Sequence, residues 1–135
     1  MSPSGTQARL PATLPTPTQA RAALKMAREQ VRQKANTADG MKDRRDAAKE
    51  EVATAAAELE EIERDLLEAD AGSDEEKAAD AKHRKAWRRH ERAALDLTKV
   101  KATLKLAKKE LLGAEKILRT AREDLEAIAE GRRKS

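Results

Sequence analysis

The sequence contains no cysteine, phenylalanine or tyrosine, and its single aromatic residue is Trp87. The lack of cysteine excludes disulfides and thiolate metal sites. With a single aromatic side chain, the protein also has almost none of the residues that bury the largest apolar areas in a globular core. No apolar run approaches the roughly 18 residues that span a bilayer, and the N-terminus lacks the order of a signal peptide. We therefore expect a soluble, cytoplasmic protein without membrane contact, or a virion-associated one if a phage encodes it.

Proline is absent after residue 17; the four prolines are Pro3, Pro11, Pro15 and Pro17. Because proline lacks a backbone N–H and its ring obstructs the preceding turn, we expect residues 1–17 to form an extended arm. Leu10 and Leu14 are large apolar residues of this arm and are candidates for docking onto a neighbouring molecule. Thr18 is the predicted N-cap of the first helix.

The remainder of the chain is rich in Ala, Glu, Lys, Leu and Arg, which is typical of long helices and coiled coils. Charged residues make up 40% of the sequence, a proportion that is also typical of disordered chains. The spacing of the apolar residues distinguishes a coiled coil from a disordered chain. Apolar or small residues recur at alternating spacings of three and four, the heptad pattern of a coiled coil. The large residues of this predicted seam are Leu24, Val31, Met41, Val52, Leu59, Ile62, Leu66, Leu97, Val100, Leu104, Leu111, Leu118 and Leu125.

The heptad pattern is interrupted once, at Gly72. Glycine suits the left-handed residue that ends a helix, and Ser73 followed by Glu76 is a capping box that begins another. The predicted fold is therefore all-α: a long antiparallel two-helix coiled-coil hairpin with an extended N-terminal arm. Its predicted parts are helix 1 at 18–71, a turn at 72–73, helix 2 at 74–131 and a basic C-terminal tail at 132–135.

One local pattern favours an alternative. The segment at 36–40, Asn-Thr-Ala-Asp-Gly, has the composition of a helix stop and predicts a kink or break near Gly40. The seam nevertheless keeps its phase from Val31 to Ala48, which favours a continuous helix 1.

Folding the chain at Gly72 predicts a register in which opposing seam positions sum to about 145. Leu24 then faces Ala121, and Leu59 faces Ala86. Nearly every such pair sets a large residue against a small one, which lets facing layers interdigitate. The charges agree, because residues 58–80 carry a net charge of −9 and residues 81–92, which fold back beside them, carry +5.

Helix 2 has a second apolar face that its hairpin partner cannot cover. At 100° per residue its members fall within roughly 60° of one another and lie opposite the seam. These residues are Leu95, Ala102, Leu106, Gly113 and Ile117. A helix that is apolar on two sides is expected to be buried on both, and a glycine in its interior suits the close approach of another backbone. We interpret this face as an oligomer or partner surface.

Catalytic and ligand-binding patterns are weak in this sequence. No glycine-rich phosphate loop and no nucleophile with an adjacent base can be recognised, and most carboxylates alternate with Lys and Arg as solvated ion pairs do. His83 and His90 both fall on the seam, but two helical turns separate them by roughly 10 Å, too far to share one metal ion. We therefore predict no enzymatic activity, cofactor, metal ion or small-molecule ligand.

A basic segment in helix 2 is the candidate nucleic-acid site. Its cations could neutralise phosphates while Trp87 stacks on a base. The candidate contacts are Arg84, Lys85, Trp87, Arg88, Arg89 and Arg92. The acidic stretch that folds alongside competes for these cations, and Trp87 lies near the seam, where its ring could pack over the helix pair.

The patterns favour a non-enzymatic structural protein, whose hairpin acts as a spacer, clamp or packing subunit in a larger assembly such as a phage virion or a bacterial complex. Protein is the expected partner, through self-association or a larger assembly. One alternative is a basic coiled-coil protein that binds nucleic acid or associates with a genome. Another is a helical-hairpin regulator or inhibitor of a single protein target.

Overall fold

A computed structural model describes residues 14–134 of the chain. The element order is α1 (Pro17–Glu68) followed by α2 (Asp74–Lys134), and the described residues contain no strand. The two helices pack against each other, so the all-α helical hairpin predicted from the heptad pattern is confirmed. Leu10 of the predicted arm lies outside the described residues, and Leu14 is half-buried at a bend before α1.

Helix α1 begins one residue earlier than predicted, and its N-cap is Thr16 and not Thr18. The Gln19 backbone N–H donates to Thr16 Oγ1 at 3.2 Å, and the Thr16 N–H donates to Gln19 Oε1 at 3.0 Å, which completes a capping box. Pro17 occupies the first helical position, where its missing N–H has no intrahelical acceptor to lose. Pro17 therefore belongs to the helix and not to an extended arm.

No break occurs near Gly40, because α1 is continuous from Pro17 to Glu68. Gly40 has an ordinary helical φ, since Gly72 is the one described residue with positive φ. Ala38 and Met41 on either side of it are 2% and 8% exposed. Glycine inside a helix costs about 1 kcal/mol relative to alanine, and burial of these neighbours offsets that cost.

The turn is longer than predicted, because α1 ends at Glu68 and residues 69–73 connect the helices. Gly72 adopts φ 78°, a left-handed conformation that favours glycine. Ser73 caps α2: its Oγ accepts from the Glu76 N–H at 3.1 Å and donates to the Asp70 carbonyl at 2.6 Å. Glu76 Oε1 accepts the Gly72 N–H at 3.1 Å, one residue before the usual capping-box partner.

Helix α2 continues through Gly131 to Lys134 instead of ending at residue 131. Gly131 has no positive φ, so it does not act as a left-handed terminator. Most of the segment predicted as a separate basic tail is therefore the last turn of α2. Basic residues are favourable at this position, because the C-terminal end of a helix carries partial negative charge.

The hairpin contains two compact units. The terminal unit comprises residues 14–36 and 108–134, and the turn unit comprises Thr37–Ala107. In the terminal unit Ala27 of α1 clusters with Leu118 and Ala121 of α2, and Leu24 and Val31 pack against this cluster. Buried residues of the turn unit include Met41, Leu59 and Leu104.

Alanine dominates the buried positions: among the described residues, ten of the fourteen buried hydrophobic residues are alanine. Small side chains let two helices approach closely, but two helices cannot enclose a large side chain on every side. Accordingly, no large side chain of the described residues is below 2% exposed. All thirteen large residues predicted for the seam are nevertheless buried or half-buried.

Candidate interaction surface

The outward side of α2 exposes three large aliphatic side chains. In the turn unit Leu95 is 55% and Leu106 57% exposed, and in the terminal unit Ile117 is 65% exposed. Ala102 and Gly113, the small residues of the same predicted face, are also exposed. By contrast Leu104 and Leu118, on the seam side of the same helix, are 4% and 9% exposed. The described residues therefore leave uncovered the second apolar face that the spacing predicts.

Gly113 is not required by packing within the hairpin. A Cβ atom built on Gly113 meets no atom within 4 Å, so no described part of the chain approaches its backbone closely. The close approach expected from the sequence is absent from the hairpin itself. A contact that uses this glycine would have to come from outside the described residues.

Trp87 lies on the outside of α2 and is 50% exposed. Its ring centroid is 6.4 Å from that of His90, one turn further along the same helix. A shallow hollow beside the indole is lined by His83, Arg84, Trp87 and Arg88, all from α2. Half of the Trp87 side chain is therefore accessible to solvent.

Two of the candidate nucleic-acid contacts are occupied by the protein's own carboxylates. Arg84 bonds Asp80 on the same helix at 2.5 Å, and Arg89 bonds Glu58 on α1 at 2.6 Å. The hydrogen bond between the two side chains, with the attraction of their opposite charges, lowers the pKa of Asp80 and raises that of Arg84. The acidic stretch thus competes for these cations.

The other cations of this segment form no ion pair within residues 14–134. They are Lys85, Arg88 and Arg92, and all three are exposed. They lie close in sequence to the half-exposed Trp87, so the basic segment keeps free positive charge beside an accessible ring.

Charged residues at the seam make contacts that fit the predicted register. Lys34, one of two basic residues in the apolar series of α1, reaches Glu110 of α2 at 3.3 Å. This pair and the pair of Arg89 with Glu58 both lie within two residues of the predicted alignment. Arg45, the other basic interruption, is half-buried and contacts Asp46 at 3.2 Å. The long aliphatic stems of Lys and Arg let such residues occupy a seam while their charges reach its edge.

His83 and His90 are both half-buried on α2. Among residues 14–134, no cluster of three or more His, Cys, Asp or Glu side chains has a geometry that could hold a metal ion. No buried side-chain polar atom in that range lacks a hydrogen-bond partner.

Sequence reasoning overlooked Leu67, which is 86% exposed in the last turn of α1. The heptad series assigned its neighbour Leu66 to the seam, and Leu66 is half-buried. A leucine adjacent to a seam position but pointing away from the partner helix is the signal that could have revealed it. It lies within the acidic stretch at 58–80.

No helix in the described part of the chain has the length and apolarity needed to cross a membrane. Comparisons with known proteins give no relationship on which to base a function: no family model, curated protein or solved structure matches this chain. The features of this protein that bear on function are therefore the exposed apolar and charged side chains of the hairpin.

Proposed function

We propose that this protein is a non-enzymatic structural subunit that packs with further copies of itself in a larger assembly, through the outward side of α2. The observation that supports the proposal is the exposure of Leu95, Leu106 and Ile117, each more than half exposed, on the side of α2 away from its partner helix. The proposed assembly is a phage virion or a bacterial complex. The N-terminal segment, with Leu10 and Leu14, supplies a second contact with a neighbour.

The apolar side chains that the hairpin leaves exposed to water can supply free energy for a further contact. Fully burying a leucine or isoleucine side chain contributes roughly 1.5–3 kcal/mol. A single exposed leucine is ordinary on a protein surface. Leu95 and Leu106 of the turn unit are eleven residues apart, which is close to three full helical turns, so they share one face of α2. Ile117 of the terminal unit follows at the same spacing in the sequence. An apolar face of this kind is what a further helix can cover.

The proposal is tested by the mass of the protein in solution. We expect wild-type protein to associate with increasing concentration, and a variant carrying Leu95→Glu, Leu106→Glu and Ile117→Glu to remain monomeric. Leu112→Glu is the matched control, since Leu112 is 60% exposed but points about 100° away from this face. A wild-type protein that stays monomeric at every concentration would contradict the proposal.

Nucleic-acid binding is the second candidate function, favoured by the unpaired Lys85, Arg88 and Arg92 near the half-exposed Trp87. Cations of this kind bind phosphates in a salt-dependent manner, and an exposed indole can stack on a base. Nucleic-acid binding by this segment would not use the exposed Leu95, Leu106 and Ile117. Filter binding of single- and double-stranded DNA and RNA at several salt concentrations tests it, and absence of salt-dependent retention would exclude it.

A further inference from the structure

The end of the outward surface nearest the turn combines an aromatic and an aliphatic anchor. A second shallow hollow on α2 is lined by Trp87, His90, Glu91, Arg92, Ala94, Leu95 and Thr98. Trp87 and Leu95 are 50% and 55% exposed in it. Tryptophan and arginine are the residue types that most often dominate binding energy at protein interfaces. We call this hollow and its flanks the Trp87 surface.

The flanks of the Trp87 surface are cationic. Six basic residues between 84 and 106 lie within about 80° of Leu95 around the α2 axis. Arg84 pairs with Asp80, and the other five form no ion pair with any residue between 14 and 134. The five unpaired residues are Lys85, Arg88, Arg92, Lys99 and Lys105. Between residues 84 and 106 the one acid in that sector is Glu91. Two copies pairing through the same surface would bring these like charges together, which is unfavourable. The occupant should therefore be acidic.

The chain carries an acidic partner for this surface at its own turn. Residues 58–80 have a net charge of −9, and Leu67 within them is the most exposed large hydrophobic residue between 14 and 134. Four exposed carboxylates near Leu67 form no ion pair in the described range, namely those of Glu60, Glu63, Glu68 and Asp70. An apolar side chain surrounded by carboxylates is the chemical complement of an apolar hollow surrounded by cations.

We infer that the acidic end of one copy docks on the Trp87 surface of another, with Leu67 packed against Trp87 and Leu95. This inference rests on the proposed assembly function, and it specifies the two surfaces that form the contact. The contact is heterologous, because each copy contributes a different surface, so every bound copy retains a free acidic end and a free Trp87 surface for further neighbours. Such a contact builds rings or filaments, and its affinity falls as salt screens the charges.

The test uses two variants that each disable one side of the contact. Leu67→Ser removes the apolar anchor but keeps the Trp87 surface, and Trp87→Ala does the reverse. Both side chains are at least half exposed, so the fold should persist, as circular dichroism can verify. Each variant alone should lose association by about tenfold or more in analytical ultracentrifugation, as truncation of an interface anchor does. Leu112→Ser, which truncates an exposed leucine elsewhere on α2, should associate like wild type.

Mixing the two variants distinguishes this contact from a symmetric one. The Leu67→Ser copy offers an intact Trp87 surface and the Trp87→Ala copy an intact acidic end, so the mixture should form a one-to-one complex and stop there. Trp87 is the sole tryptophan, and the Trp87→Ala protein has none. Tryptophan emission from the Leu67→Ser copy should therefore shift to shorter wavelength as the Trp87→Ala copy is added, and high salt should reverse the shift.

Three results would overturn the inference. If wild type associates but both variants keep its mass, the contact is wrong while the assembly proposal stands. If the variants are monomeric and their mixture is also monomeric, the contact is not heterologous. If wild type is monomeric at every concentration, both the contact and the assembly proposal fail, and an emission shift on adding a single-stranded DNA oligonucleotide would then assign the Trp87 surface to nucleic acid.

Discussion

Leu104 and Leu106 are two residues apart on the same helix, yet Leu104 is 4% exposed and Leu106 is 57% exposed. Their side chains have the same hydrophobicity and the same helix propensity. The difference arises because two residues turn a helix by roughly 200°, which directs one side chain at α1 and the other away from it. The comparison teaches that α2 has two apolar sides and that the hairpin uses one of them. The seam side packs against α1, and the outward side stays exposed to solvent.

Truncation of these two leucines should give the largest contrast. Leu104→Ala is expected to lower the free energy of unfolding by about 2–4 kcal/mol, because it removes buried methyl groups and leaves a cavity. Leu106→Ala should change stability by no more than about 0.5 kcal/mol. Chemical denaturation of dilute protein, where association contributes little, measures both. Equal effects would contradict the separation of the two sides of α2.

Enlarging one alanine on the seam side of α2 and one on its outward side should give a smaller difference in stability. The seam-side change should again be the more destabilising. Ala86 is 4% exposed on the seam side, whereas Ala102 is exposed on the outward side. Ala86→Leu should cost about 1–3 kcal/mol by overpacking the layer between the helices. Ala102→Leu should be close to neutral for folding and should strengthen association, because it extends the apolar face. Thermal unfolding and sedimentation of both variants test this pair, and a stable Ala86→Leu protein would show that the seam has room to expand.

The smallest effect concerns the ion pair of Asp80 and Arg84 on the solvent-accessible surface of α2, where the two side chains are 46% and 66% exposed. The Arg84 bond lowers the Asp80 pKa in the folded protein. A carboxyl whose folded pKa is depressed contributes stability above its unfolded pKa and loses it as pH falls through the folded pKa. Arg84→Ala should therefore raise the Asp80 pKa towards its ordinary value and slightly reduce the loss of stability on acidification. Arg88→Ala, which removes an unpaired cation, is the control and should leave the Asp80 pKa unchanged. An NMR titration of the Asp80 carboxyl measures both variants.

Much of the hairpin was predictable because heptad spacing states directly which residues face a partner helix. The presence of the turn was also predictable, since Gly72, Ser73 and Glu76 have specific conformational roles. The exact residues at which the helices begin and end were harder to predict. Thr16 and Thr18 are both suitable caps, and Pro17 between them can either precede a helix or begin one. Whether Gly40 interrupts α1 depended on the burial of Ala38 and Met41, which no local rule contains.

The candidate surface was predictable in part. The spacing of Leu95, Leu106 and Ile117 predicted an outward apolar face, and each of these residues is exposed. Leu67 was not predicted, because it belongs to no repeat and only its position beside the seam residue Leu66 indicates that it points outward. The free charge near Trp87 could not be assigned either, since the sequence does not state which arginines Asp80 and Glu58 would bind.

The sequence by itself determined that this protein is a helical hairpin and which side of each helix meets the other. The physical reason is that helical geometry repeats so regularly that spacing along the chain converts directly into direction around the axis. Only the tertiary structure decided which apolar side chains stay in water and which cations stay unpaired. Those outcomes depend on the distances at which two helices bring particular side chains together, and they leave Trp87, Leu95 and Leu67 available to a second molecule.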